Sequence, residues 1–136
     1  MTVPRADILV VEDDEPVRAL LIEYLTEHSD FVVDGARDGV DALHQVCTHR
    51  YRVVVLDVMM PYMTGIDFLD SLEAMVSDPS IKTMDELPAV VIITAAPPEQ
   101  IPSAVIEQRF PSMVRCVFRK PVDPQGLAEC VERLLR

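Results

Sequence analysis

Five short apolar runs punctuate this chain: Ile8-Leu9-Val10-Val11, Phe31-Val32-Val33, Val53-Val54-Val55-Leu56, Ala89-Val90-Val91-Ile92-Ile93 and Val114-Arg115-Cys116-Val117-Phe118. They are rich in β-branched residues, and four of them are unbroken; the longer unbroken runs read as strands buried on both faces of a parallel sheet. After each run comes room for one helix. Val17, Leu20, Leu21, Tyr24 and Leu25 follow the helical period, with Asp14 as N-cap and Pro16 in the first turn. Asp38 and Asp41 open a second helix, whose apolar face reads Val40, Leu43, Val46 and Cys47. Gly35 is expected to turn the chain between the second strand and this helix. Thr64 and Asp67 cap a third helix, carrying Phe68, Leu69, Leu72, Met75 and Val76. A modest helix fits around Ser103 to Arg109, and Asp123-Pro124 opens the last one, with Leu127, Val131, Leu134 and Leu135 on its buried face. Five alternations of strand and helix call for an α/β fold: a doubly wound five-stranded parallel sheet, helices on both faces, joined by right-handed crossovers.

The polar connections are consistent with that frame. Ser77 to Pro88 reads as a loop, with at most a short helical turn, and Ala95 to Ser112 is broken by Pro97, Pro98, Pro102 and Pro111. At 136 residues the chain is one domain by size and buries roughly two-thirds of its unfolded surface. Its 49% hydrophobic and 26% charged residues are those of a folded protein. No apolar run is long enough to cross a bilayer, and Met1 to Asp7 has no signal-peptide core. Cys47, Cys116 and Cys130 are odd in number and sit in apolar contexts, so buried thiols in the cytoplasm are expected. His44 and Cys47 lack the further ligands of a zinc site. Twelve basic against 23 acidic residues give a formal charge of −11, which disfavours nucleic acid and anionic membranes as partners.

The run Val53 to Leu56 ends in Asp57 and then meets Met59-Met60-Pro61. A carboxylate at the end of a buried strand is costly unless something pairs with it. The first strand also ends in acid, Glu12-Asp13-Asp14, the fourth in Thr94 and the fifth in Arg119-Lys120-Pro121. In a parallel sheet these ends share one edge, where α/β folds bind their ligands. Clustered carboxylates repel each other unless a proton or a cation intervenes. Oxygen ligands of this type suit Mg²⁺, with Mn²⁺ as an alternative. With Lys120 and the Thr94 hydroxyl beside it, Asp57 is placed as a nucleophile toward a phosphoryl group.

In these motifs, ILVVEDDE, VVVLDVMMPYMTGIDFL, VVIITA and FRKP, the chain resembles the receiver domain of two-component response regulators. The resemblance implies a flavodoxin-like sheet of order 2-1-3-4-5 and a single receiver domain over 1–136, core about 6–136, with no output domain. It implies that Asp57 accepts a phosphoryl group from a histidine kinase or a histidine phosphotransfer protein in a phosphorelay. Asp13 and Asp57 then bind Mg²⁺ directly, Glu12 binds it through water, and the Met59 backbone carbonyl completes the protein ligands. Thr94 corresponds to the switch hydroxyl, Ala95 to the small residue that leaves the site open, and Lys120 to the phosphate-pairing lysine before a cis proline. Met59 and Ala96 match positions that tune the lifetime of the phosphorylated state. The downstream target is a protein reached by contact.

Two features depart from the family pattern. Val117 stands where an aromatic residue is usual, with Phe118 next to it on the opposite side of the strand. The segment from Thr94 to Lys120 is longer than usual and proline-rich. Both bear on output, and neither touches the phosphorylation chemistry. A Mg²⁺-dependent aspartate-nucleophile phosphohydrolase is the competing reading, but that class needs a second acid where Met59 stands. A non-phosphorylated interaction module of the same fold is the other alternative, and the full set of key residues argues against it. The chain is read as a switch and not as a conventional enzyme.

Overall fold

A computed structural model describes residues 7–27, 30–60, 62–80, 86–97, 99–100 and 103–135. Pro61, Pro98, Pro102, most of Met1 to Asp7 and part of the Ser77 to Pro88 loop therefore lie outside the described residues. The elements run β1 (Ile8–Val11), α1 (Glu15–Glu27), β2 (Val33–Ala36), α2 (Gly39–Thr48), β3 (Val53–Asp57), α3 (Gly65–Val76), β4 (Ala89–Thr94), α4 (Ser103–Arg109), β5 (Val114–Arg119) and α5 (Pro124–Leu135). All strand pairs are parallel, in the order β2-β1-β3-β4-β5. The doubly wound, flavodoxin-like fold read from the sequence is the fold of the protein.

Alternation along the central strands divides the core in two. Leu9, Val11, Val54, Leu56, Val90 and Ile92 pack with α2, α3 and α4 residues such as Val46, Phe68, Leu72 and Ile106. Ile8, Val10, Val53, Val55, Val91 and Ile93 face α1 and α5 through Leu21, Leu25, Leu127 and Val131. Each fully buried Val, Leu or Ile contributes roughly 1.5–3 kcal/mol. The central strands therefore have ample burial energy to hold polar groups at their ends.

The helix caps form as the sequence suggests. Asp14 Oδ1 accepts from the Val17 N–H at 3.1 Å, and Asp38 Oδ1 from the Asp41 N–H at 2.8 Å. Thr64 and Asp67 make a reciprocal capping box. Gly65 follows that cap because a Cβ there would lie 2.8 Å from Val58 Cα. The close approach seats the start of α3 against the end of β3.

Several expectations are corrected. The second strand is Val33–Ala36, not Phe31 to Val33, so Gly35 lies inside it and does not form the turn. A Cβ on Gly35 would meet Ile22 Cδ1 of α1 at 2.6 Å, so that side-chain end would have to shift to admit one. On α1 the buried residues are Leu21 and Leu25, while Leu20 is 62% exposed. On α2 they include Ala42 and Val46, while Val40 and Cys47 face solvent. The three cysteines are thus not alike. The sulfurs of Cys116 in β5 and Cys130 in α5 meet as a bonded pair, with Cα atoms 7.6 Å apart.

Candidate functional site

Four strand ends converge at the carboxyl edge. Asp57 ends β3 with 2% of its surface exposed, Thr94 ends β4 fully buried, and Glu12 follows β1 fully buried. The Glu12 N–H donates to the Ala36 carbonyl at 3.1 Å, which ties this turn to β2. Lys120 follows β5, and its N–H donates to the Thr94 carbonyl at 2.8 Å. The Lys120-Pro121 peptide bond is cis.

The side chains meet around Lys120. Its Nζ lies 2.5 Å from Glu12 Oε1 and 3.2 Å from Asp57 Oδ2. Asp57 Oδ1 accepts from the Met59 N–H at 3.0 Å, so the backbone two residues past Asp57 folds back onto its carboxylate. Asp13 is exposed, yet one oxygen each from Glu12, Asp13 and Asp57 lie within 4.8 Å of one another. Among the described residues Glu12 Oε2 is buried with no hydrogen-bond partner. The Thr94 hydroxyl accepts from the Ala96 N–H at 3.1 Å. Ala95 is exposed, as is Met59, while Ala96 is buried. The structure thus brings Glu12, Asp13, Asp57 and Lys120 into one cluster, with Thr94 ending the neighbouring strand and Ala95 just past it.

Three carboxylates and one ammonium carry a formal charge of −2, and the buried members respond to it. Burial, then the neighbouring Asp57, push Glu12 up from 4.5 to about 8, although Lys120 pulls the other way. Burial works against the Lys120 charge, but the Glu12 and Asp57 carboxylates outweigh it and hold the ammonium above its ordinary value. A proton on Glu12 relieves the repulsion, and so does a divalent cation. The donor set is all oxygen, and the orphaned Glu12 Oε2 is a free ligand atom within it. These residues fit Mg²⁺.

Two arginines at this edge were not singled out by sequence reasoning. Arg18 Nη1 donates to the Glu12 carbonyl at 2.8 Å, and Arg119 Nη1 to the Ala96 carbonyl at 2.9 Å. Arg18 lies on the second turn of α1, and that spacing was the only signal available. Val117 packs toward α2, α3 and α4, and Phe118 toward α1 and α5, so the two side chains do occupy opposite faces.

Residues 8–132 match the response regulator receiver domain. The chain belongs to the response regulator receiver family. An uncharacterized response regulatory protein of Vibrio cholerae is 32% identical over 129 residues, which cover 94% of this chain and 48% of that protein. This receiver chain therefore spans about half the length of that curated relative. The receiver domain of the Francisella response regulator 1452 shares 27% identity at a TM-score of 0.73, covering 97% of this chain and 96% of that one. Chemotaxis protein CheY4 of Vibrio cholerae superposes with a TM-score of 0.76 over 97% of this chain and all of that one, at 23% identity. The last likeness speaks for the fold. No helix among the described residues is long and apolar enough to cross a membrane.

Proposed function

We propose that this receiver accepts a phosphoryl group on Asp57 from a phosphohistidine of a histidine kinase or histidine phosphotransfer protein. One observation carries the reading: the Asp57 carboxylate is buried at a strand end with Lys120 Nζ 3.2 Å from one oxygen and acids beside it. In the transfer, an Asp57 oxygen forms a bond to phosphorus as the phosphorus–nitrogen bond of the donor breaks, and the imidazole leaves with the electron pair. Burial keeps water from competing for the carboxylate, and the Met59 N–H fixes its plane. Lys120 can swing its ammonium from the carboxylates to the incoming phosphoryl oxygens, since its side chain is partly exposed. Asp13, Asp57, Glu12 and the Met59 carbonyl would hold Mg²⁺. When bound, it would supply positive charge against that building on the phosphoryl oxygens.

Output passes through Thr94. Its hydroxyl holds the Ala96 N–H, and Arg119 holds the Ala96 carbonyl, so a hydroxyl drawn to the phosphoryl group disturbs both contacts. The proline-rich segment after β4 then carries the signal, without an aromatic at Val117. The target is a protein, the setting is cytoplasmic, and the receiver unit itself acts as a switch by contact. Acetyl phosphate with Mg²⁺, read by intact mass, tests the chemistry. One phosphoryl group is expected, and Asp13→Ala should lower its yield at limiting Mg²⁺. Amide exchange with and without beryllofluoride tests the output route. Changes confined to the far helices, with Ala95 to Ser112 silent, would sink it.

A further inference from the structure

The opposite end of the sheet holds a cavity of about 260 Å³, lined by Arg50, Arg52, Arg115, Glu86, Pro88 and Leu134 among others. Three arginines against one glutamate make it locally cationic in a chain of formal charge −11. Topology gathers them. Arg50 and Arg52 precede β3, Pro88 precedes β4, Arg115 is the second residue of β5, and Leu134 lies in the last turn of α5. The Ala89 N–H donates to the Arg52 carbonyl at 3.0 Å, so the starts of β3 and β4 are locked together.

Arg115 reaches this place through an irregularity in the strand. In the β4–β5 pairing Val90 opposes Val114 and Val91 opposes Cys116, which leaves Arg115 as the extra residue of a bulge. Strand parity confirms the break. Val114 packs on the α2–α3–α4 side and Cys116 on the α1–α5 side, although residues two apart in a regular strand share a face. A bulge re-aims a side chain, and such features concentrate at functional sites. Among the described residues the Arg115 side chain makes no hydrogen bond or ion pair. Arg52, in contrast, is fixed in place, its guanidinium donating to the Leu135 carbonyl.

The geometry points to an anion site here, taking a small tetrahedral dianion: inorganic phosphate or the phosphate group of a small monoester. Guanidinium forks match phosphate oxygens two at a time, and a concave site of this volume admits a phosphate with a short ester chain. The acidic cluster does not forbid it. The five residues of β3 separate the two ends by about 15 Å at roughly 3.3 Å each, while charges at physiological salt are screened over about 8 Å. Among the described lining residues Glu86 is the one opposing charge.

The test is a titration of the ¹⁵N-labelled protein, in EDTA, with inorganic phosphate, glycerol phosphate, succinate and chloride at constant ionic strength. Saturable shifts at Arg52, Ala89 and Arg115 with phosphate and glycerol phosphate are expected, and not with succinate or chloride. A stronger response to glycerol phosphate than to phosphate identifies an ester as the ligand, and equal responses identify the free ion. Arg115→Gln should weaken binding about tenfold, Arg115→Lys should restore part of it, and Glu86→Gln should tighten it. Shifts confined to the Asp57–Lys120 end, indifference to Arg115→Gln, or equal binding of succinate would overturn the assignment.

Discussion

The two edges of one sheet handle charge in opposite ways. At the carboxyl edge Glu12 and Asp57 are withdrawn from water and held by Lys120 and the Met59 N–H. At the amino edge Arg50, Arg52 and Arg115 stay exposed around an open cavity. A desolvated charge is strongly coupled to its neighbours, so each change there propagates to the rest. An exposed charge is screened by water and salt and acts almost alone. Substitutions at the first edge should therefore have large, pH-dependent and cation-dependent effects, and those at the second small ones.

The largest effect is expected at Asp57. Asp57→Ala removes the carboxylate proposed as phosphoryl acceptor, 3.2 Å from Lys120 Nζ, so phosphorylation by acetyl phosphate should vanish while the circular dichroism spectrum is kept. Persistent incorporation of one phosphoryl group in that variant would place the acceptor elsewhere and break the comparison at its centre.

Glu12 comes next. Its folded-state value is pushed up from 4.5 to about 8, so without divalent cations the folded protein keeps a proton that the unfolded chain releases. Stability is then greatest below about pH 4.5 as far as this group is concerned, and falls as pH rises toward about 8. Glu12→Gln removes that slope. At about pH 9 the cation-free variant should exceed the parent by on the order of a few kcal/mol, and near pH 4.5 by little. Saturating Mg²⁺ should flatten the parent's own curve, because the ion replaces the proton. Denaturant melts across this range check it, and parallel curves for parent and variant would show that Glu12 is not desolvated as described.

The same contrast explains what the sequence made legible. β1, β3 and β4 are unbroken β-branched runs, so their alternation, their order and the polar residues that end them could all be read directly. β2 could not. It is an edge strand containing Asp34 and Gly35, where the Tyr51 hydroxyl donates to Asp34 Oδ2 at 2.8 Å and the Ile22 side chain packs over Gly35. Those tertiary contacts overrode the propensity of Phe31 to Val33. On α1 apolar residues follow Val17 at both i+3 and i+4, Leu20 and Leu21, and there, as at Val40 on α2, only packing decides which are covered. At the site, the acids and Lys120 were legible because parallel strands bring their ends together. The Arg18 and Arg119 links to backbone carbonyls were not, since any surface arginine carries the same signature. The bulge at Arg115 depends on a register that no local pattern encodes.

Met59 lies at the rim of the acidic edge and is 55% exposed. It carries no strong hydrogen-bonding group to orient water toward a phosphorylated Asp57. Replacing it by asparagine supplies one, worth about 1.4 kcal/mol in the transition state, so Met59→Asn should speed self-dephosphorylation roughly tenfold. The decay of the phosphorylated protein in excess Mg²⁺ reads this out. An unchanged decay would mean that this position does not reach the attacking water.

The smallest effect belongs to Arg52. Its guanidinium is exposed and donates to the Leu135 carbonyl, at the end of α5 where backbone acceptors lack helical partners. A cation at a helix carboxyl terminus gains about 0.3–1 kcal/mol, and salt screens part of that. Arg52→Gln keeps a donor of similar reach without the charge. It should lose less than about 1 kcal/mol of stability at low salt, and less still at high salt. Amide exchange should quicken in the last turn of α5 and stay unchanged at Asp57 and Lys120. A loss above about 2 kcal/mol, or one indifferent to salt, would show that Arg52 is as strongly coupled to its surroundings as Glu12 is. The two edges would then not differ in kind, and the amino edge would have to be treated as a second interior site whose charges are fixed by desolvation.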